Sequence, residues 1–112
     1  MNHYHDPADK SFMVKLRRGA DEESRAFIAF NAAVSRSDGD VPAKYRELIS
    51  LAVALTTQCV YCIETHVAAA KAAGVTPEEL AETVFVTAAM RAGGAVAHGR
   101  LAMRMYEQAE SA

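Results

Sequence analysis

The sequence predicts an all-α fold, and three observations carry the prediction. Hydrophobic residues make up 51% of the 112 positions, yet only 7% are aromatic and tryptophan is absent. A core must therefore come from Leu, Val, Ile, Met and the abundant Ala, which favours helix and close helix approach. Apolar positions recur at helical spacing in each long segment, and no window alternates as a strand would. Finally, Pro42, Gly74, Thr76-Pro77 and Gly93-Gly94 fall where helices start and stop.

Taken in order, residues 1–20 read as an N-terminal leader and 21–112 as one helical domain. The first ten residues, with His3, His5 and Pro7, predict a loose segment, and a terminal His pair is incidental as a metal site. Arg17-Arg18 is an isolated basic pair that reads as a solvated helix edge. From Asp21 to about Arg36, Phe27, Ile28, Phe30, Ala33 and Val34 recur as on one helix. Ser37-Asp38-Gly39-Asp40 makes a turn, and Pro42 suits the first position of the next helix, where its missing N–H is harmless.

That helix runs to about Thr57, carrying Leu48, Ile49, Leu51, Ala52 and Leu55. The β-branched pair Thr56-Thr57 followed by Gln58 disfavours continuity, so a break is expected before a helix over 59–73. Gly74 stops that helix in the left-handed conformation. Thr76, Pro77 and Glu79 form a capping box with proline at the first helical position. A helix from Pro77 to about Arg91 is expected to end at Gly93-Gly94, and a last one to span Ala95 to Glu110 with Leu101, Met105 and Tyr106. The total is about five to six helices. So small a domain, rich in small apolar residues, is expected to be completed by oligomerisation.

Charge and hydropathy narrow the function. The net charge is −2 with both signs interspersed, so no basic stripe marks a nucleic-acid surface. The apolar runs are broken by Thr, Gln, Glu and His before the roughly 18 residues that a membrane span needs, so no membrane partner is expected. The start MNHYHDPADK lacks a basic-then-apolar signal sequence, and the expected location is cytoplasmic. In a reducing compartment two close cysteines are catalytic or metal-binding more often than a structural staple.

Cys59 and Cys62 are the two cysteines of the chain, and with His66 they form Cys-x-x-Cys-x-x-x-His. At about 100° per residue the three positions span roughly 60° of one helical face. Three readings compete. As core, they are two small hydrophobes and a satisfied histidine. As a metal site they supply three ligands where tetrahedral zinc takes four, leaving His98, a carboxylate or a second subunit to complete it. As a redox site they supply a nucleophile, a resolving partner and a base, with no metal or bound cofactor required. The redox reading is preferred. Cys59 gains most from a helix N-terminus, while Cys62, four residues before His66, is the thiol expected to couple to the base. Glu47, a dozen residues upstream on an otherwise apolar helix, is either a relay carboxylate or a surface residue pairing with Arg46 or Lys44.

The segment Glu47-x₁₁-Cys59-Val60-Tyr61-Cys62-x₃-His66 resembles the signature of the carboxymuconolactone decarboxylase-like superfamily, in its alkylhydroperoxidase D branch. The similarity continues through Gly74-Val75-Thr76-Pro77-Glu78-Glu79 to Gly93-Gly94 and covers roughly residues 42 to 105. The resemblance implies an all-helical subunit assembled as a trimer or hexamer. It also implies a thiol-dependent peroxidase or disulfide reductase with Cys59 and Cys62 as the redox pair, His66 as base and Glu47 as relay carboxylate. Expected partners are a peroxide and an external dithiol, lipoyl-like or thioredoxin-like. The best-known enzymes of that branch carry a second His directly before the second Cys; here that residue is Tyr61, a hydrogen-bond donor but no base near neutral pH. The true decarboxylases lack the cysteine pair, which speaks against lactone decarboxylation. The rival is a non-catalytic redox sensor or metal-binding oligomer.

Overall fold

The structure, a computed structural model, describes residues 6–110. His3 and His5 lie outside the described residues. A 3-10 turn at Pro7–Phe12 leads into α1 (Met13–Gly19), α2 (Asp21–Val34), α3 (Ala43–Thr57), α4 (Val60–Ala72) and α5 (Pro77–Gln108). No strand occurs among the described residues. The all-α expectation holds.

Helix α3 is the hub, packing against both α4 and α5. Where the three meet, Leu51 and Ala54 of α3, Ala70 of α4 and Thr87 of α5 are buried. Two of these four are alanine, so backbones approach closely, and Thr87 satisfies its hydroxyl on the Thr83 carbonyl at 2.8 Å. Side chains bridge the helix ends: Lys44 Nζ lies 2.7 Å from Glu79 Oε2, and Arg91 Nη1 donates to the Thr56 carbonyl at 3.1 Å. The latter satisfies one of the carbonyls that the end of α3 leaves without an intrahelical partner.

Helix termini follow the sequence signals closely at two places. Thr76 caps α5, with its hydroxyl accepting from Glu79 N–H and Glu79 accepting from Thr76 N–H. Gly74 takes φ +88° after α4, letting Val75 N–H reach the Ala70 carbonyl at 3.0 Å. At three places the structure differs. Pro42 is the N-cap of α3, with extended ψ, and not its first helical residue. Residues 7–10, expected to be loose, lie in a 3-10 turn that Asp6 and Asp9 start with a reciprocal capping box around Pro7.

Most consequentially, Gly93-Gly94 does not end a helix; α5 runs unbroken for 32 residues. An internal glycine costs about 1 kcal/mol against alanine, too little to outweigh continuous i to i−4 bonding through the surrounding Ala, Val and Arg. This length also revises the reading of apolar runs, because α5 is long and apolar enough to cross a membrane by length and composition alone. Arg91 and the Lys44–Glu79 pair nevertheless tie its first half to α3.

Helices α1 and α2 stand apart from this bundle, α1 packing on the 3-10 turn and on α2. Phe27, Ile28, Phe30 and Val34 of α2 are exposed, as are Met90, Val96, Leu101, Met105 and Tyr106 of α5. The radius of gyration is 19.2 Å, where a compact chain of this length would have about 13 Å.

Two outcomes test this account of the helix ends. Gly74→Ala should cost about 1–2 kcal/mol in urea denaturation through backbone strain alone, because a Cβ there would meet nothing within 4 Å. Glu79 is held below its ordinary 4.5, first by the hydrogen bond from Lys44 and then by that from Thr76 N–H. A depressed carboxyl stabilises the fold above its unfolded value, and that contribution fades as pH falls through the folded value. Wild type should therefore melt above Glu79→Gln at neutral pH, and the two curves should converge on acidification.

Candidate functional site

The turn between α3 and α4 builds the site. Gln58 adopts a left-handed conformation, φ 55° and ψ 41°, that ends α3 after Thr57. Cys59 N–H then bonds back to the Ala54 carbonyl at 3.0 Å, and extended backbone at Cys59 starts α4 immediately. Two residues thus separate the helices, and α4 returns along α3. The expected break is present, and Cys59 occupies the N-cap of the new helix.

Cys59 Sγ accepts from Cys62 N–H at 3.3 Å. At this position the sulfur faces the first N–H groups of the helix, which lack intrahelical partners and carry partial positive charge. Cys59 and Cys62 are joined as a disulfide, with Cα atoms 5.2 Å apart, inside the range such bonds require. Among the described residues, no three His, Cys, Asp or Glu side chains cluster to hold a metal ion.

One turn further along α4, His66 Nδ1 lies 2.7 Å from Glu47 Oε2 of α3. The pair is mostly sheltered, with side-chain exposures of 26% for His66 and 16% for Glu47. In the tautomer that carries its proton on Nδ1, the imidazole donates to this carboxylate and keeps the Nε2 lone pair as an acceptor. Cys62 and His66 are i and i+4 on one helix, neighbours on its surface. The alternative partners for Glu47 are engaged elsewhere. Lys44 binds Glu79, while Arg46 donates from Nε to the Val41 carbonyl at 2.8 Å and from Nη1 to the Val34 carbonyl at 2.7 Å. His98 is not brought to the cluster; its Nδ1 meets the Gly94 carbonyl of its own helix at 2.9 Å.

A cleft of about 200 Å³ opens on the Glu47–His66 pair, walled by Arg46 and Ser50 of α3 and by Asn31, Val34 and Ser35 at the end of α2. This wall was not legible from the motif. Arg46 supplies it by bonding both the last carbonyl of α2 and the following loop, and it packs against Gly39, where a Cβ would collide with the guanidinium. The one available signal was local: a glycine in an acidic turn seven residues before an arginine that carries no acidic neighbour in the helical register. On the other side of the disulfide, Tyr61 Oη donates to Asp9 Oδ2 at 2.7 Å and Lys10 Nζ pairs with Glu64 Oε1 at 3.1 Å, so the leader lies against the first turn of α4.

Comparison with known proteins identifies the family. A protein described as "Uncharacterized protein 4 in cox locus" from Paracoccus denitrificans is 40% identical over 87 residues, covering 78% of each chain. Residues 21–105 match the model of the carboxymuconolactone decarboxylase family, which includes alkylhydroperoxidase D-like proteins. The match starts at α2, earlier than the motif-based similarity from residue 42, so the helix that walls the cleft belongs to the shared fold. With Glu47, the cysteine pair and His66 all inside the matched span, this chain is a member of the carboxymuconolactone decarboxylase family.

Proposed function

We propose that the protein is a thiol-dependent peroxidase and disulfide oxidoreductase of the alkylhydroperoxidase type. The observation that carries this reading is the 2.7 Å contact of Glu47 with His66 one turn from a bonded Cys59–Cys62 pair. In the reduced enzyme His66 Nε2, its ring oriented by Glu47, removes the proton of Cys62. The thiolate attacks the distal peroxide oxygen, the O–O bond breaks, and the alkoxide leaves as alcohol with a proton returned by His66. Cys62 is then a sulfenic acid. Cys59 thiolate, stabilised at the N-cap of α4, displaces its hydroxyl as water and forms the disulfide. An external dithiol, lipoyl-like or thioredoxin-like, resets the site. One of its thiolates attacks a sulfur of the pair, and its second thiol displaces the mixed disulfide, releasing both cysteines reduced.

Every electron in this cycle passes through sulfur, so neither metal nor bound cofactor enters it. Decarboxylation is disfavoured because it gives the cysteine pair nothing to do.

The test is steady-state reduction of hydrogen peroxide and cumene hydroperoxide with dihydrolipoamide as reductant. Repeated turnover supports an enzyme, whereas one oxidation per chain followed by arrest would make the protein a sensor. His66→Ala should lower kcat/KM for peroxide about 10²–10⁴-fold at neutral pH, and unchanged turnover would remove His66 from the mechanism. Glu47→Gln should act in the same direction with a smaller loss, seen as a shifted pH profile.

The same reading includes a homo-oligomer, a trimer or hexamer. Its support is the extended single chain, whose apolar faces on α2 and α5 are uncovered. Sedimentation equilibrium should give a mass three or six times 12.1 kDa; a stable monomer would contradict it.

A further inference from the structure

The leader lies outside the family match, since residues 21–105 carry the match and Pro7–Gly19 precede it. Its attachment to the bundle is specific. Asp9 accepts from Tyr61, one of the two residues that lie between the cysteines, and Lys10 pairs with Glu64, one turn along α4. Two features make this contact responsive. The leader is held by solvent-facing groups, with Lys10 65% and Glu64 44% exposed. Exposed pairs contribute about 0.2–1 kcal/mol each, so docking lies near balance. In addition, Tyr61 sits inside the ring that the disulfide closes, which ties the N-cap Cys59 to the third residue of α4.

We propose that the leader is a redox-coupled strap, docked on α4 when Cys59 and Cys62 are bonded and released when they are reduced. The inference rests on the pair cycling between these states, as in the function proposed above. Reduction adds two electrons and two protons and breaks the Sγ–Sγ bond. The first turn of α4 is then held at Cys59 without a covalent tie, by two hydrogen bonds: Cys62 N–H to Cys59 Sγ at 3.3 Å and Ile63 N–H to the Cys59 carbonyl at 3.0 Å. With the ring open, the turn that carries Tyr61 can fray, and ordering it onto Asp9 costs conformational entropy that the closed ring had already removed. Release uncovers Tyr61, next to Cys62, in the state that meets peroxide. Docking covers it in the state that awaits a dithiol. Asp9 and Tyr61 are thus positioning residues for the cysteine turn, and by reciprocity whatever favours docking also favours the disulfide.

Limited trypsin digestion of the full chain tests the strap without any need for peroxidase activity. One sample is oxidised and one reduced with a trialkylphosphine, thiol labelling verifies each state, and cleavage after Lys15 is followed by intact mass. Cleavage should be about threefold faster in the reduced protein, the size set by one exposed contact. Oxidised Tyr61→Phe should be cut at the rate of reduced wild type and respond little to reduction. Its disulfide should also be about threefold easier to reduce, ~14 mV at 29.6 mV per tenfold, a shift that a purely structural role for Tyr61 would not produce. Lys10→Glu lies off the bundle and sets like charge against Glu64, so it should speed cleavage of the oxidised form with helicity unchanged. Equal cleavage rates in the two labelled states would overturn the strap, as would a Tyr61→Phe protein that keeps the wild-type difference. Loss of peroxide turnover alone would bear on the proposed function and leave the strap standing.

Discussion

The left-handed residue Gln58 and the N-cap Cys59 fix almost everything that follows them. Because only these two residues link α3 to α4, the second helix must fold back along the first. That return sets His66 opposite Glu47 and holds the cysteine pair at a fresh helix start. A longer connection would free α4 to slide or rotate. A one-residue shift turns a helix by about 100°, enough to carry His66 off the carboxylate. The chemistry of the site is therefore a consequence of turn length as much as of the four side chains.

Around that turn the bundle is thin. Few side chains are fully buried, and the longest helix presents much of its apolar surface to solvent. Hydrophobic burial is the main favourable term in folding, at roughly 25 cal/mol per Å². A chain that leaves Phe27, Phe30, Phe85 and Tyr106 exposed gives up much of it. In the proposed oligomer, stability and assembly would be coupled quantities, with protomer concentration entering both.

Much of the fold was legible because its signals are local. The capping box at Thr76 and the positive φ at Gly74 depend on residues within one turn, and both appear where the sequence set them. The break before Cys59 was legible for the same reason. Gly93-Gly94 misled because glycine is a permissive residue: it allows a helix to end but does not end one when the flanking turns continue to bond. The proximity of Glu47 and His66 rested on recognising a spacing, since 19 residues and a turn of undetermined geometry separate them. The wall of Asn31, Ser35 and Arg46 and the leader contact Asp9–Tyr61 were not legible. They depend on how long polar side chains bridge elements that scarcely touch through their backbones.

The packing of Arg46 on Gly39 carries an evolutionary corollary. The guanidinium could swing away from an added Cβ, but only by surrendering its bonds to Val34 and Val41, and with them the anchorage of α2 beside the cleft. Positions 39 and 46 are therefore epistatic: a side chain at 39 becomes neutral only on a background where 46 has already been shortened and another group restrains the loop. Among relatives, the two sites should drift together or not at all.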